Sequence, residues 1–225
     1  MPNVESILRK PETPGAPAPL LRRFTPLPPR ILLIGASTGG PQALGKVLHD
    51  ASGWLRQIPI VVVLHAPPDY IHLVAAGVAG QSRMPARVAL NGEALAPGII
   101  YFAPGDRHLR VMTANDRKIL VHSDAEAQNS CKPAVDVLFR SGARTFGPEA
   151  LGLVLTGMGR DGLKGAEDIV EAGGNVIVQD EATSAVWGMP GSIARRGLAS
   201  AILPLDSIAS AIGGLLVSSR RTVRA

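Results

Sequence analysis

Ser37 is the first residue whose setting suggests covalent chemistry. It lies within Gly35-Ala36-Ser37-Thr38-Gly39, a G-x-S-x-G pattern that follows the aliphatic run Ile31–Ile34 and precedes a predicted helix. A tight strand-to-helix turn exposes a serine hydroxyl and brings helix-start N–H groups to where an oxyanion can form. A glycine-rich turn before a helix is also typical of an anion-binding loop, or of a plain tight turn. The pattern alone leaves all three interpretations open.

Two further strand ends carry an imidazole and a carboxylate. His65 closes the apolar run Val61–Leu64, and Asp161 lies in a glycine-rich loop after the apolar run Leu151–Leu155. The carboxyl ends of parallel strands meet at one edge of a sheet, so these groups could lie near Ser37 as a general base and its orienting acid. A histidine bonded to a backbone carbonyl and an aspartate capping a helix are the competing structural interpretations.

The remaining candidates are weaker. Asp136 lies on a predicted helix, His108 follows a turn and could line the rim of a site, and Cys131 has no local signature of a nucleophile. His49 and His72 lie on predicted helices and are interpreted as surface or packing residues. His122 ends a predicted hairpin strand, and nothing pairs with it. The five histidines are scattered, with no H-E-x-x-H and no Cys/His cluster, so we predict no metal site.

Short aliphatic runs alternate with helix-like stretches between residues 31 and 217. This alternation predicts an α/β fold, namely a doubly wound, mostly parallel sheet with helices on both faces. Three short runs separated by turn residues are predicted to form antiparallel hairpin strands inserted into it: Ile99–Phe102, Arg110–Met112 and Lys118–Val121. The helices are expected from about Pro41, over Tyr70–Gly80, Pro133–Phe146, Gly162–Ala172 and Leu205–Leu216.

The composition of the chain divides it into three segments and argues against several classes of protein. Residues 1–30 are predicted to be a disordered Pro-rich linker, 31–217 one globular domain, and 218–225 a basic tail. The net charge is +5, but the first 30 and the last ten residues contribute +3 each, which leaves −1 for the rest and argues against a nucleic-acid partner. No apolar stretch is long enough to span a membrane, and residues 1–10 lack the apolar core of a signal peptide. The single cysteine suits a reducing compartment, so we expect a cytoplasmic protein.

Six stretches, in order along the chain, together resemble the catalytic domain of the chemotaxis protein-glutamate methylesterases, the CheB family. They are spread over about residues 31–217: IGASTGGPQAL at 34–44, the strand ending at His65, APGDRH at 103–108, KPAVDVLFRSGA at 132–143, VLTGMGRDGLKG at 154–165 and QDEATSAVWGMPGSIARRG at 179–197.

The resemblance implies a catalytic triad of Ser37, His65 and Asp161, with Thr38 and Met158 lining the substrate and oxyanion region. It implies hydrolysis of glutamyl methyl esters on chemoreceptors, with deamidation of receptor glutamines as a second activity, and it requires no cofactor. The alternative is a catalytically silent adaptor that docks on receptors of a chemosensory system.

The chain departs from the family pattern at two places. His65 is followed by Ala66-Pro67-Pro68 rather than by Met-Pro, in a loop that the resemblance places beside the active site. Typical members also carry an N-terminal receiver domain that covers the site until it is phosphorylated, whereas here only residues 1–30 precede Ile31. For a chain of this length we therefore expect no phosphorylation gating in cis.

Overall fold

The computed structural model of the protein describes residues 20–222. The strands are β1 (Ile31–Ala36), β2 (Ile60–Leu64), β3 (Ala86–Val88), β4 (Ile100–Phe102), β5 (His108–Ala114), β6 (Arg117–Ser123), β7 (Ala150–Val154), β8 (Asn175–Gln179) and β9 (Ala201–Leu203). The helices are α1 (Gly40–Asp50), α2 (Ser52–Leu55), α3 (Pro68–Ser82), α4 (Val135–Phe146), α5 (Leu163–Glu171), α6 (Met189–Arg195) and α7 (Leu205–Thr222).

Seven strands form one parallel sheet in the order β3-β4-β2-β1-β7-β8-β9. The central strand β1 pairs with β2, where Ala36 is opposite Leu64, and with β7, where Gly35 is opposite Val154. The side chains of these three strands are fully buried aliphatic residues, as expected of a sheet covered on both faces. Because the three strands end side by side, the residues that follow them are brought to the same edge of the sheet.

Apolar residues pack on both faces of this sheet. On one face, Leu44 of α1, Val74 of α3 and Ile212 of α7 belong to one buried cluster. On the other face, Phe139 of α4 and Ile169 of α5 belong to a second cluster, together with residues of α6 and of the β5–β6 hairpin. The predicted doubly wound architecture with helices on both faces is confirmed.

One strand prediction was wrong. Strands β5 and β6 do form an antiparallel hairpin, but Ile100–Phe102 is a parallel strand of the main sheet, between β2 and β3. The connection from β3 to β4 is an irregular loop rather than a helix. The alternation of strand and helix that identifies parallel strands in a sequence is therefore interrupted at this point.

The structure describes parts of the two predicted terminal segments. Of the predicted linker, residues 1–19 lie outside the described residues, whereas residues 20–30 lie against the domain: the backbone N–H of Thr25 donates to the Asn175 side chain at 2.9 Å. The last helix continues to Thr222, so most of the predicted basic tail is helical, and residues 223–225 are not described. Within residues 20–222 no helix has both the length and the apolar character needed to cross a membrane.

Candidate active site

Ser37 begins the sharp turn between β1 and α1. Its backbone N–H donates to the carbonyl of Thr156 at 3.0 Å, and its own carbonyl accepts from the N–H of Gly40 at 2.7 Å. Gly39 has a φ of 78°, in the left-handed region that residues with a Cβ rarely adopt. This turn ties the serine to the loop after β7 and leaves it partly exposed at the sheet edge.

His65 and Asp161 are hydrogen-bonded to each other. The Nε2 atom of His65 lies 2.8 Å from Oδ2 of Asp161, and the two side chains are 17% and 2% exposed. The carboxylate can only accept, so the imidazole donates through Nε2–H. Nδ1 is therefore the nitrogen of the neutral ring that can accept a proton.

Asp161 is held by the N-terminus of α4. The backbone N–H groups of Val135 and Asp136 donate to its carboxylate at 2.7 and 3.1 Å, and that of Gly162 donates at 3.0 Å. Burial alone would raise the pKa of this carboxyl, but the hydrogen bonds from His65, Val135 and Asp136 outweigh it and hold the pKa below its ordinary value. Asp161 is thus charged at neutral pH and can stabilise a positive charge on the imidazole.

A second buried carboxylate, Asp136, lies beside the first and is 1% exposed. Burial is the largest influence on the pKa of Asp136 and raises it, and the negative charge of Asp161 raises it further. The backbone N–H of Gly165 donates to Asp136 at 2.7 Å and lowers the pKa, but it does not offset the other two. The side-chain amide of Asn129 bridges the two acids, donating to Asp136 at 2.7 Å and to Asp161 at 3.3 Å. Sequence reasoning missed Asn129, because no spacing connects a loop residue to an acid 32 positions later.

Cys131 lies next to the imidazole of His65. Its Sγ is 3.9 Å from Nδ1 of His65 and 3.4 Å from the carbonyl oxygen of Asn129, to which the thiol donates. Burial, and then the negative charges of Asp161 and Asp136, raise the pKa of this thiol to about 11. The thiol is therefore protonated at neutral pH and unsuited to be the nucleophile.

His108 does not line the rim of the site, as the sequence had suggested it could. It is fully buried, accepts the backbone N–H of Ala134 at Nδ1 over 3.1 Å, and donates from Nε2 to the carbonyl of Glu126 at 2.9 Å. These bonds connect the hairpin to the residue just before α4. The histidine thus supports the helix end that holds Asp161.

The backbone N–H groups of Thr38 and Met158 have no acceptor among the described residues. Thr38 follows Ser37, and Met158 is in the loop after β7, with its side chain 68% exposed. The hydroxyl of Thr156 joins the two loops: it donates to the carbonyl of Thr38 at 2.9 Å and accepts from the N–H of Val186 at 3.0 Å. Two unpaired donors on connected loops are what an oxyanion hole requires.

Ser37 and His65 follow adjacent strands, but their side chains are not hydrogen-bonded to each other. The N–H of His65 donates to the carbonyl of Ala36, the residue before Ser37, at 3.0 Å. Among the described residues, the Ser37 hydroxyl has no hydrogen bond to the imidazole. Catalytic hydrogen bonds are often absent or long before substrate binds.

A groove of about 750 Å³ lies beside this edge, between α1 and α3. Pro41, Tyr70 and Leu73 are among its lining residues, whereas Ser37, His65 and Asp161 are not. The groove therefore lies next to these three residues, of which Ser37 and His65 are partly exposed and Asp161 is buried.

Comparisons with known proteins agree on one family. The family model described as CheB methylesterase matches residues 32–212. A solved structure, the CheB methylesterase catalytic domain of Thermotoga maritima, superposes with a TM-score of 0.80 at 35% identity, covering 83% of this chain and 98% of that one.

Curated relatives are longer than this chain. A protein-glutamate methylesterase/protein-glutamine glutaminase of Rhodopseudomonas palustris is 44% identical over 209 residues, which is 92% of this chain and 54% of that protein. Another, from Paramagnetospirillum magneticum, is 48% identical over 195 residues, 86% of this chain and 51% of that protein. The chain thus spans about half the length of these relatives.

Proposed function

Because this chain belongs to the CheB methylesterase family, we propose that it hydrolyses glutamyl methyl esters on chemoreceptors, with Ser37, His65 and Asp161 as its catalytic triad. The observation that carries the proposal is the hydrogen bond from His65 to a buried, charged Asp161, at the sheet edge where Ser37 also lies. The names of the curated relatives support the same activity and add glutamine deamidation.

The first half of the reaction is acyl transfer to Ser37. His65 accepts the hydroxyl proton at Nδ1 while the serine oxygen attacks the ester carbonyl, a step that requires the Ser37 hydroxyl to come within hydrogen-bond reach of that nitrogen. The imidazolium that forms is stabilised by Asp161 through Nε2–H. The unpaired N–H groups of Thr38 and Met158 receive the oxyanion, and methanol leaves with the proton that His65 returns.

The second half regenerates the enzyme. His65 takes a proton from water, the hydroxide attacks the acyl-serine, and collapse of the second tetrahedral intermediate releases the glutamate and returns the proton to Ser37. The same steps with ammonia as the leaving group convert glutamine to glutamate. No step needs a cofactor or a metal.

An open site suits a protein substrate. Thr38 and Met158 are exposed beside the serine, and the groove between α1 and α3 begins at Pro41, close to the nucleophile. A long receptor helix can approach such an edge without entering a cavity. We propose the methyl-accepting receptor as the partner, and neither a nucleic acid nor an inserted membrane.

Release of methanol from a methylated receptor fragment tests the proposal. Ser37→Ala should abolish turnover, and Ser210→Ala, which changes an exposed serine of α7, should leave it unchanged. Equal turnover in Ser37→Ala and the unmodified chain would remove Ser37 from the mechanism. No turnover in any variant, combined with retained receptor binding, would favour the silent adaptor instead. Ammonia release from a receptor carrying glutamine at the same positions measures the deamidase activity separately.

A further inference from the structure

The fold gathers a set of metal-binding atoms that the sequence keeps far apart. One ligand atom each from His65, Cys131 and Asp161 can be chosen so that all three lie within 4.8 Å of one another. The sequence had predicted no metal site because its histidines are scattered. The loop before α4 changes this by laying the single cysteine against the imidazole at the end of β2.

The distances suit a small thiophilic cation. Nδ1 of His65 and Sγ of Cys131 are 3.9 Å apart. Tetrahedral Zn²⁺, with bonds of about 2.0–2.1 Å to nitrogen and about 2.3 Å to sulfur, separates two such ligands by about 3.6 Å. The two side chains would therefore need to approach each other by only a few tenths of an ångström to bind the ion. Because Nε2–H is bonded to Asp161, the lone pair available to a metal is the one on Nδ1.

The surroundings of these atoms favour a positive charge. Asp161 and Asp136 are both almost completely buried, and neither forms an ion pair with a lysine or an arginine among the side chains of residues 20–217. Burial, and then the negative charges of Asp161 and Asp136, keep the Cys131 thiol protonated. The same negative charges attract a cation, which can displace the thiol proton. Asp161 bonded to Nε2–H is the outer carboxylate that commonly orients a metal-binding histidine.

We propose that His65 and Cys131, with Asp161 as the outer partner, form an inhibitory site for Zn²⁺ or a similar thiophilic divalent cation. The ion bonds to Nδ1 and to the sulfur, the thiol proton passes to solvent, and water completes the coordination. The metal then occupies the lone pair that must accept the Ser37 proton, so the metal-bound enzyme cannot begin acyl transfer. This inhibition rests on the proposed function, whereas metal binding itself does not.

Binding is measured first, without reference to activity. Cd²⁺ is titrated into the full chain carrying Ser37→Ala, and the ultraviolet charge-transfer band of a cadmium thiolate is recorded. We expect the band to saturate at one equivalent, to disappear with Cys131→Ser, and to need a higher cadmium concentration with His65→Gln. His72→Gln, an exposed histidine of α3, is the matched control and should leave the titration unchanged. Absence of the band, or its persistence unchanged in His65→Gln, would overturn the site.

Inhibition is measured second. Zn²⁺ should suppress methanol release by the unmodified chain, a chelator should restore it, and the half-inhibiting concentration should rise at least about tenfold in Cys131→Ser, as expected when a metal loses one partner. Each variant is compared with its own metal-free rate. Equal inhibition of both proteins, or a cadmium band without inhibition, would overturn the inhibitory role. A chain that binds cadmium but releases no methanol even without metal would instead contradict the proposed esterase.

Discussion

At the scale of single residues, the charge of Asp161 is the property on which the proposed mechanism depends. Asp161→Asn keeps the size of the side chain but replaces the carboxylate that accepts from His65 Nε2–H with an amide. An amide that donates to Nε2 favours the His65 tautomer protonated at Nδ1, which cannot accept the Ser37 proton there. We expect kcat for methanol release to fall by about a thousandfold to ten-thousandfold, with KM little changed. Asp206→Asn, an exposed acid of α7, is the control and should retain full activity. A loss of less than tenfold in Asp161→Asn would show that the carboxylate does not support the base.

Asn129 is expected to act through Asp161 rather than on the substrate. Its amide joins two buried carboxylates, and a hydrogen bond to a charged group contributes about 1.5–3 kcal/mol. Asn129→Ala should therefore lower kcat about tenfold or more while KM stays the same. Asn115→Ala is a matched control, because Asn115 also has a left-handed φ, 47° against 51°, but lies in the hairpin turn. A change in KM alone would place Asn129 in substrate binding instead.

At the scale of the elements, the loop after β7 fixes the position of the nucleophile by close packing. A Cβ added to Gly157 would lie 2.9 Å from Cβ of Ser37 and 2.5 Å from Sδ of the buried Met189. Gly157→Ala should thus displace Ser37 and lower kcat by at least about tenfold, while also reducing thermal stability, since overpacking typically costs about 1–3 kcal/mol. Steady-state kinetics and a thermal unfolding curve on the same sample measure both effects.

The control for this substitution lies on α3. A Cβ at Gly77 meets nothing within 4 Å, and Gly77 is inside a helix, where alanine is favoured over glycine by about 0.8–1 kcal/mol. Gly77→Ala should raise the unfolding temperature and leave kcat unchanged. If both variants lost activity equally, close packing against Ser37 would not be the reason for the effect of Gly157→Ala.

At the scale of the whole molecule, the strand ends could be predicted from the sequence, but their surroundings could not. Ser37, His65 and Asp161 each follow an apolar run, and parallel strands place such residues at one sheet edge. Asn129 and Cys131 reach the same point only because the loop before α4 folds over the edge of the sheet. Their positions depend on tertiary packing, which neither hydrophobic periodicity nor residue spacing records.

The two buried acids should affect the stability of the whole domain in opposite directions as pH changes. The pKa of Asp161 is lower in the folded protein than in the unfolded chain, so its stabilising contribution is present above the unfolded pKa and is lost as pH falls through the folded pKa. The pKa of Asp136 is higher in the folded protein, because burial penalises its charge. Its contribution is therefore largest below the unfolded pKa and is lost as pH rises through the folded pKa.

Urea unfolding of the unmodified chain, Asp161→Asn and Asp136→Asn at a series of pH values separates the two contributions. The stability advantage of the unmodified chain over Asp161→Asn should shrink as pH falls below about 3.9, the ordinary pKa of an aspartate. Its advantage over Asp136→Asn should instead grow as pH falls from neutrality toward that value. If the stability differences of the two variants changed with pH in the same direction, the opposite pKa shifts of Asp161 and Asp136 would be contradicted. The distinction between a charged Asp161 beside His65 and an Asp136 whose charge is penalised by burial would then fail as well.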